Sequence, residues 1–348
     1  MAVIDDLLRL MIEHKASDLH ITSGAPPYLR VHGDMRAVNY RELSNQDVQG
    51  ILFEILTDKQ KKSFVEKWEL DFAYSVSGLA RFRGNIFMQR KGLAGVFRVI
   101  PEKILTAQDL NLPPAIIDLI ECDRGLVLVT GPTGSGKSTT LAALINHLNA
   151  TREAHIITIE DPIEFIHPNI KSLINQRELG SHTKSFANAL KASLREDPDI
   201  ILVGELRDLE TISLAITAAE TGHLVFGTLH TNSAGKTIDR LIDVFPGDQQ
   251  DQIRAMLAES LRGVVAQSLF ARTDKPGRIA AYEIMRNTRA IASLIREKKT
   301  YQIASQIQMG AKYGMILFEK SLSELVKRGV IHKKEMDVFF GHTEEKAS

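Results

Sequence analysis

The spacing of apolar and polar positions changes character along the chain. Over residues 3–14, Ile4, Leu7, Leu8 and Met11 share one helical face, which predicts an amphipathic helix. Short apolar-polar runs at 18–22 and 28–32 predict two strands, separated by Gly24-Ala-Pro-Pro27, with Gly33-Asp34 as a turn. Residues 45–67 carry helical spacing in two pieces broken near Thr57-Asp58. Three further strands follow at 70–76, 79–89 and 93–100, joined by tight turns at Ser77-Gly78 and Lys91-Gly92. This order predicts a small α+β domain with an antiparallel sheet over residues 1–100. Pro101 and Leu112-Pro-Pro-Ala115 bracket a linker over 101–115. Beyond it, apolar strands at 126–130, 155–159, 200–204 and 224–228 alternate with helical patterns. Such alternation predicts an α/β core with a parallel sheet over 116–270. After Leu269 the pattern reads as mostly helical, giving a C-terminal region over 271–341 and a polar tail at 342–348.

The second half of the chain carries the chemistry. Residues 131–138 read Gly-Pro-Thr-Gly-Ser-Gly-Lys-Ser, a phosphate-binding loop with Gly131, Gly136, Lys137 and Ser138 all in place. The run Gly125-Leu-Val-Leu-Val-Thr130 precedes it as a strand, and Leu141, Leu144, Ile145 and Leu148 follow at helical spacing. Glycines let backbone N–H groups turn inward around phosphates, and the helix start adds a positive dipole end. The expected ligand is a nucleoside triphosphate, ATP, with Mg²⁺. Thr133, Gly134, Ser135 and Thr139 complete the cradle, Lys137 reaches the β/γ-phosphates, and the Ser138 hydroxyl binds Mg²⁺.

Two acidic strand ends accompany the loop. Ile159-Glu-Asp-Pro-Ile-Glu164 follows an apolar strand, at the edge where open α/β sheets bind ligands. Glu164 is the expected base for the attacking water, with Glu160 and Asp161 as alternatives that spacing cannot rank. Ile200-Ile-Leu-Val-Gly204 ends in Glu205-Leu-Arg207-Asp208, the arrangement in which an acid holds Mg²⁺ directly or through water. Asp208 also stands where an N-cap for the next helix belongs. His223 and His230 flank the strand at 224–228. Seven residues apart, they face opposite sides of a regular strand, so a shared zinc site is not expected. A histidine or threonine just past that strand, His230 or Thr231, suits sensing of the γ-phosphate. Arg81, Arg83 and Arg98 lie on strands of the first domain, and Arg81 and Arg83 share a face. Arginine suits bidentate phosphate recognition, so these residues are candidate arginine fingers.

Composition narrows the partners. Lysine plus arginine equals aspartate plus glutamate, 43 each in 348 residues, so no bulk nucleic-acid or anionic-lipid binding is expected. Cys122 is the single cysteine, which excludes a disulfide or a cysteine-built zinc site within one chain. No secretory signal or membrane span is read, and a cytoplasmic protein is expected.

Together these residues resemble the type IV pilus retraction ATPases, the PilT family of the type II/IV secretion ATPase superfamily. The likeness runs over roughly residues 3–340. It is carried by the loop at 131–138, the acidic box His155 to Glu164, the Walker B stretch Ile201 to Asp208, the histidine box Thr221 to Thr231, Ala16-Ser-Asp-Leu-His20, and Arg81-Phe-Arg-Gly-Asn85. The resemblance implies a RecA-like P-loop core, a PAS-like N-terminal domain and a helical C-terminal region. It implies Glu164 as the catalytic glutamate, Glu205 as support for Mg²⁺, and His223 and His230 as the histidine-box pair. It implies that the N-terminal-domain arginines approach the nucleotide. It further implies a homo-hexamer, peripherally attached to the inner membrane through a pilus platform protein and acting indirectly on the pilin fibre. The retraction class carries Ala-Ile-Arg-Asn-Leu-Ile-Arg-Glu. This chain has Ala290-Ile-Ala-Ser-Leu-Ile-Arg-Glu297, with Ala292-Ser293 in place of the polar pair. Assembly and type II secretion ATPases are the alternative, usually with a longer N-terminal extension and often a tetracysteine element. The immediate entry into the α+β domain and the lone cysteine count against them. An ATP-binding regulatory paralogue with little turnover is the other alternative.

Overall fold

A computed structural model describes residues 2–31, 33–100 and 103–341. The 342–348 tail and residues 101–102 of the linker lie outside the described residues. The chain divides into two compact units, Met1–Lys103 and Ile104–Ser348, each described by itself.

The first unit runs α1 (Val3–Glu13), β1 (Asp18–Thr22), β2 (Tyr28–Val31), β3 (Asp34–Ala37), α2 (Asn45–Glu54), α3 (Asp58–Lys67), β4 (Glu69–Val76), β5 (Ala80–Gln89) and β6 (Gly92–Ile100). The break between α2 and α3 has a local cause. Thr57 leaves the helical conformation and its side chain accepts from the Gln60 N–H, capping a new helix. Ser44 and Asp47 cap α2 in the same way. The six strands form one antiparallel sheet in the order β3-β2-β1-β6-β5-β4. Leu19, Ile21, Phe82, Ile86 and Phe97 join Ile4, Leu8, Met11 and Leu52 of the helices in the core. Strand alternation sends the intervening residues to the other face. The expected turn at Gly33-Asp34 is shorter than read, because β3 already begins at Asp34. Its four residues are all exposed, and Met35 and Ala37 are its only apolar members.

The second unit runs α4 (Pro114–Ile120), β7 (Gly125–Thr130), α5 (Lys137–Thr151), β8 (His155–Glu160), β9 (Leu173–Glu178), α6 (Phe186–Ser193), β10 (Ile200–Val203), α7 (Leu209–Glu220), β11 (Leu224–Leu229), α8 (Ala234–Asp243), α9 (Gln250–Ser260), β12 (Leu261–Ala271), β13 (Arg278–Arg286), α10 (Arg289–Arg296), α11 (Ile303–Met309), α12 (Phe318–Lys327) and α13 (Lys333–Phe340). Its sheet has the order β13-β12-β7-β11-β10-β8-β9, parallel from β12 to β9, with β13 antiparallel at the edge. Every residue of β7, β10 and β11 is buried, as strands covered on both faces require. One core cluster lies on each side of this sheet, with Leu126, Leu128 and Val225 in one and Val127, Val129 and Phe226 in the other.

The sheet extends further than the chain pattern indicates. A boundary at 270/271 falls at the end of β12, inside the β12–β13 hairpin, so the first part of 271–341 is strand and belongs to the core sheet. The rest of that region is helical, from α10 to α13. Strand β12 escapes sequence reading because it begins at Leu261 directly after Ser260 of α9, with no turn residue between. Strand β9 escapes it because, at the sheet edge, it carries only the apolar pair Leu173-Ile174 ahead of the polar run Asn175-Gln-Arg-Glu178.

Candidate active site

The P-loop follows β7, and its geometry depends on glycine at three positions. Gly131, Gly134 and Gly136 have φ of +146°, +78° and +88°, values that side chains strain to reach. Space is restricted as well. A Cβ on Gly131 would run into the Gln267 carbonyl oxygen, and one on Gly136 would sit 2.8 Å from the Gln267 side-chain nitrogen. The Lys137 ammonium donates to the carbonyls of Gly131 (2.7 Å) and Pro132 (3.1 Å), so it folds back over the loop it closes. Burial pushes Lys137 down from its ordinary value, while the charges of Glu205 and Glu164 push it up. Both carboxylates therefore stand within electrostatic reach of the P-loop lysine. The hydroxyls of Ser135 and Thr130 are buried with no hydrogen-bond partner among the described residues. Unpaired buried polar atoms beside a glycine cradle fit a phosphate-bearing ligand.

Glu205 emerges at the end of β10. Its Oε2 accepts from Arg207 Nη2 at 2.6 Å, and its Oε1 lies 2.9 Å from His230 Nε2. Burial alone would raise this carboxyl, but Arg207 and His230 outweigh it and hold it below the usual carboxylate range. Thr228 of β11 donates its hydroxyl to the Gly204 carbonyl, fastening the two strand ends that present Glu205 and His230. Asp208 accepts from the backbone N–H and the hydroxyl of Thr211, each at 2.9 Å, and so caps α7.

The acidic box follows β8. Glu160 accepts from Thr158 (2.6 Å) and Gln176 (3.2 Å), and desolvation raises its carboxyl above the usual range. Glu164 is exposed on the loop beyond it. That loop is held by a strand the sequence did not reveal. From β9, Glu178 accepts from the Ile163 N–H, and Gln176 accepts from the His167 N–H and donates to the Phe165 carbonyl. Gln176 and Glu178 stand two residues apart, on one side of β9. Gln267 is a third residue the sequence did not single out. The signal that could have found it is one amide inside the apolar run Val264-Val-Ala-Gln-Ser-Leu269.

The two histidines do not converge. His230 follows β11 and touches Glu205, but His223 precedes the strand. The His223 carbonyl accepts from the N–H of Gly125, the first residue of β7. His223 therefore lies at the sheet edge opposite the P-loop, roughly 20 Å away at the rise of six strand residues. Its Nδ1 lies 2.9 Å from the Ala218 carbonyl, closing the turn after α7. The expectation that His223 contacts the nucleotide is not met by the P-loop of its own chain.

In the first unit, register aligns the basic residues. Arg30 pairs with Asp18, Asp18 with Arg98, and Arg98 with Arg83, which lays all four across one face of the sheet; Arg81 lies two residues further on β5. Asp18 is only 3% exposed, and Arg98 donates to it at 2.8 Å. Arg83 stands 3.7 Å from Asp71 in an exposed pair. The expected shared face of Arg81 and Arg83 is present.

The sequence matches the family described as Type II/IV secretion system protein over residues 107–338. It is 53% identical over 331 residues to the type IV pilus retractation ATPase PilT of Pseudomonas aeruginosa, covering 95% of this chain and 96% of that one. The chain belongs to the PilT family of type II/IV secretion ATPases. A twitching motility protein of Neisseria gonorrhoeae is 52% identical over 323 residues, 91% of this chain and 86% of its own. The crystal structure of the pilus retraction motor PilT with bound ADP superposes at a TM-score of 0.90, with 44% identity and 96% of each chain covered. This PilT-family chain thus shares the secretion-ATPase fold: an α/β core with a parallel sheet and a helical C-terminal region. Among its described residues no helix is long and apolar enough to cross a membrane.

In the C-terminal motif, Ile291, Leu294 and Ile295 of α10 pack inward, while Arg296 and Glu297 are exposed. Ser293, which replaces a member of the usual polar pair, donates to Glu297 at 2.8 Å, and Lys299 donates to the other Glu297 oxygen.

Proposed function

We propose that the chain is a hexameric ATPase motor that hydrolyses ATP to power type IV pilus retraction. The ATPase reading is supported by a glycine loop closed by Lys137, with Glu205 and Glu164 within electrostatic reach of that lysine, and the pilus role by the likeness to PilT. Lys137 offsets charge on the β/γ-phosphates, and the inward N–H groups of the loop bind their oxygens. Glu164, exposed on a loop tied to β9, takes the proton of the attacking water. Mg²⁺, when bound, would supply positive charge to offset that of the phosphates. The Ser138 hydroxyl and Glu205 are hard oxygen donors suited to it. Glu205, whose oxygens are engaged by Arg207 and His230, would support the ion. His230, joined to Glu205, reports the state of the γ-phosphate.

Arg81, Arg83 and Arg98 act on nucleotide held by a neighbouring subunit, which makes the ring the working unit. Residues 1–100 serve as the PAS-like domain, 101–115 as the linker and 116–270 as the ATPase core, extended by the hairpin to 286. The motor works in the cytoplasm against an inner-membrane platform protein, and the exposed Arg296-Glu297 pair is its coupling element. Deleting the gene tests the direction of work. Excess non-retracting pili with lost twitching are expected; absent pili would assign the chain to assembly. Negligible steady-state ATPase activity of the purified ring would reduce it to a regulatory paralogue.

A further inference from the structure

Gln267 is out of place by composition. It lies in the middle of β12, it is 2% exposed, and the three residues before it are fully buried and apolar. Burying an amide costs free energy unless both of its ends are paired. Here both are. Its Nε2 donates to the Ser135 carbonyl at 2.7 Å, and its Oε1 accepts from the Thr140 hydroxyl at 2.8 Å. The carbonyl can only accept, so the nitrogen end must face Ser135 and the amide has one orientation. One side chain thereby bridges the loop and the first turn of α5. The Gln267 backbone holds the other end, since its carbonyl oxygen occupies the space a Gly131 side chain would need.

The Ser135–Gly136 bond is trans, so its C=O and N–H point in opposite directions. Fastening the Ser135 carbonyl to β12 therefore aims the Gly136 N–H away from β12. Gly136 carries no Cβ to restrain this plane, and its φ of +88° is one that side chains strain to reach. Some other group has to fix the peptide plane.

We propose that Gln267 is a positioning residue for the phosphate site: it locks the Ser135–Gly136 peptide so that the Gly136 N–H faces the bound phosphates. The inference rests on the nucleotide reading above. A donor to the phosphates acts on ground state and transition state alike, so its loss raises KM and spares kcat. A residue that only fills the core would lower the melting temperature and leave KM unmoved.

The test uses the full chain as a ring. In Gln267→Leu the KM for ATP is expected to rise roughly ten- to a hundredfold, the worth of one hydrogen bond to a charged group. Saturating kcat should stay within about threefold. Gln267→Met keeps the length and nearly the volume but carries no donor for the Ser135 carbonyl. It should give the same split, and it decides the matter where Gln267→Leu does not fold. A folded variant with KM within about twofold of the unaltered chain overturns the proposal. Lys137→Ala, run in parallel, separates the two readings. If it too hydrolyses ATP normally, the nucleotide site itself is misassigned; if it alone fails, only the role of Gln267 is wrong.

Discussion

The two units use their sheets in opposite ways. In the second, β7, β10 and β11 are buried along their whole length, and their candidate site residues stand where these strands end: Gly131 after β7, Glu205 after β10, His230 after β11. In the first, the sheet is buried on one face and polar on the other. Chemistry there lies along the strands, as the row Arg30, Asp18, Arg98, Arg83 shows. A parallel sheet covered on both sides has no free face, so its ligands gather at the carboxyl edge. An antiparallel sheet with one open face can present a two-dimensional array of side chains to another surface. The first arrangement gathers its polar groups at strand ends; the second spreads them over a face.

The sharpest test of this contrast removes the array. Arg81→Ala with Arg83→Ala should lower ATP hydrolysis by about 10³ to 10⁵, as finger-type arginines do. Among the described residues Arg83 makes only an exposed pair with Asp71, so its own replacement should shift stability by less than about 1 kcal/mol. Hybrid rings with Lys137→Ala subunits should regain partial activity, because the lesions would fall at different interfaces. Wild-type hydrolysis in the double variant removes the arginines from the reaction.

At the strand-end site, Glu164→Gln should cut hydrolysis by about 10² to 10⁴ while mant-ATP still binds. Glu160→Gln should do less, since the Glu160 carboxyl is already raised by burial and held by Thr158 and Gln176. The reverse ranking would transfer the role of base to Glu160.

A third change probes burial instead of chemistry. Phe226→Ala empties a fully buried position of β11 and should cost about 3–5 kcal/mol in urea unfolding of the second unit. A loss no larger than that of Arg83→Ala would contradict burial on both faces of the parallel sheet.

The smallest effect is a pH dependence. His167 is 8% exposed on the acidic-box loop, and burial lowers its pKa from 6.5 to about 4. Between those values the unfolded chain binds the proton and the folded chain does not. Stability is therefore full above pH 6.5 and falls as pH drops toward 4, by up to ~3 kcal/mol. His167→Gln should flatten that slope in melting curves taken across this window. An unchanged slope would place the acid sensitivity elsewhere.

Much of this molecule was legible in its amino acids. The P-loop, the two acidic strand ends and the four central strands are local statements, because a buried parallel strand is a short apolar run and a phosphate loop is a fixed spacing of glycine, lysine and serine. The helix break at Thr57 was equally local, since a cap forms within four residues. The remaining features depend on which strands become neighbours. Pairing of β12 with β7 brings Gln267 under the P-loop from more than a hundred residues away. Pairing of β9 with β8 lets Gln176 and Glu178 hold the loop of Glu164. Placement of β11 between β10 and β7 sends His230 to Glu205 and His223 to the far edge. Hydrophobic periodicity says that a residue is buried or exposed, but the hydrogen-bond partner of a buried amide or carboxylate is chosen by strand order and register, which no single stretch of chain contains.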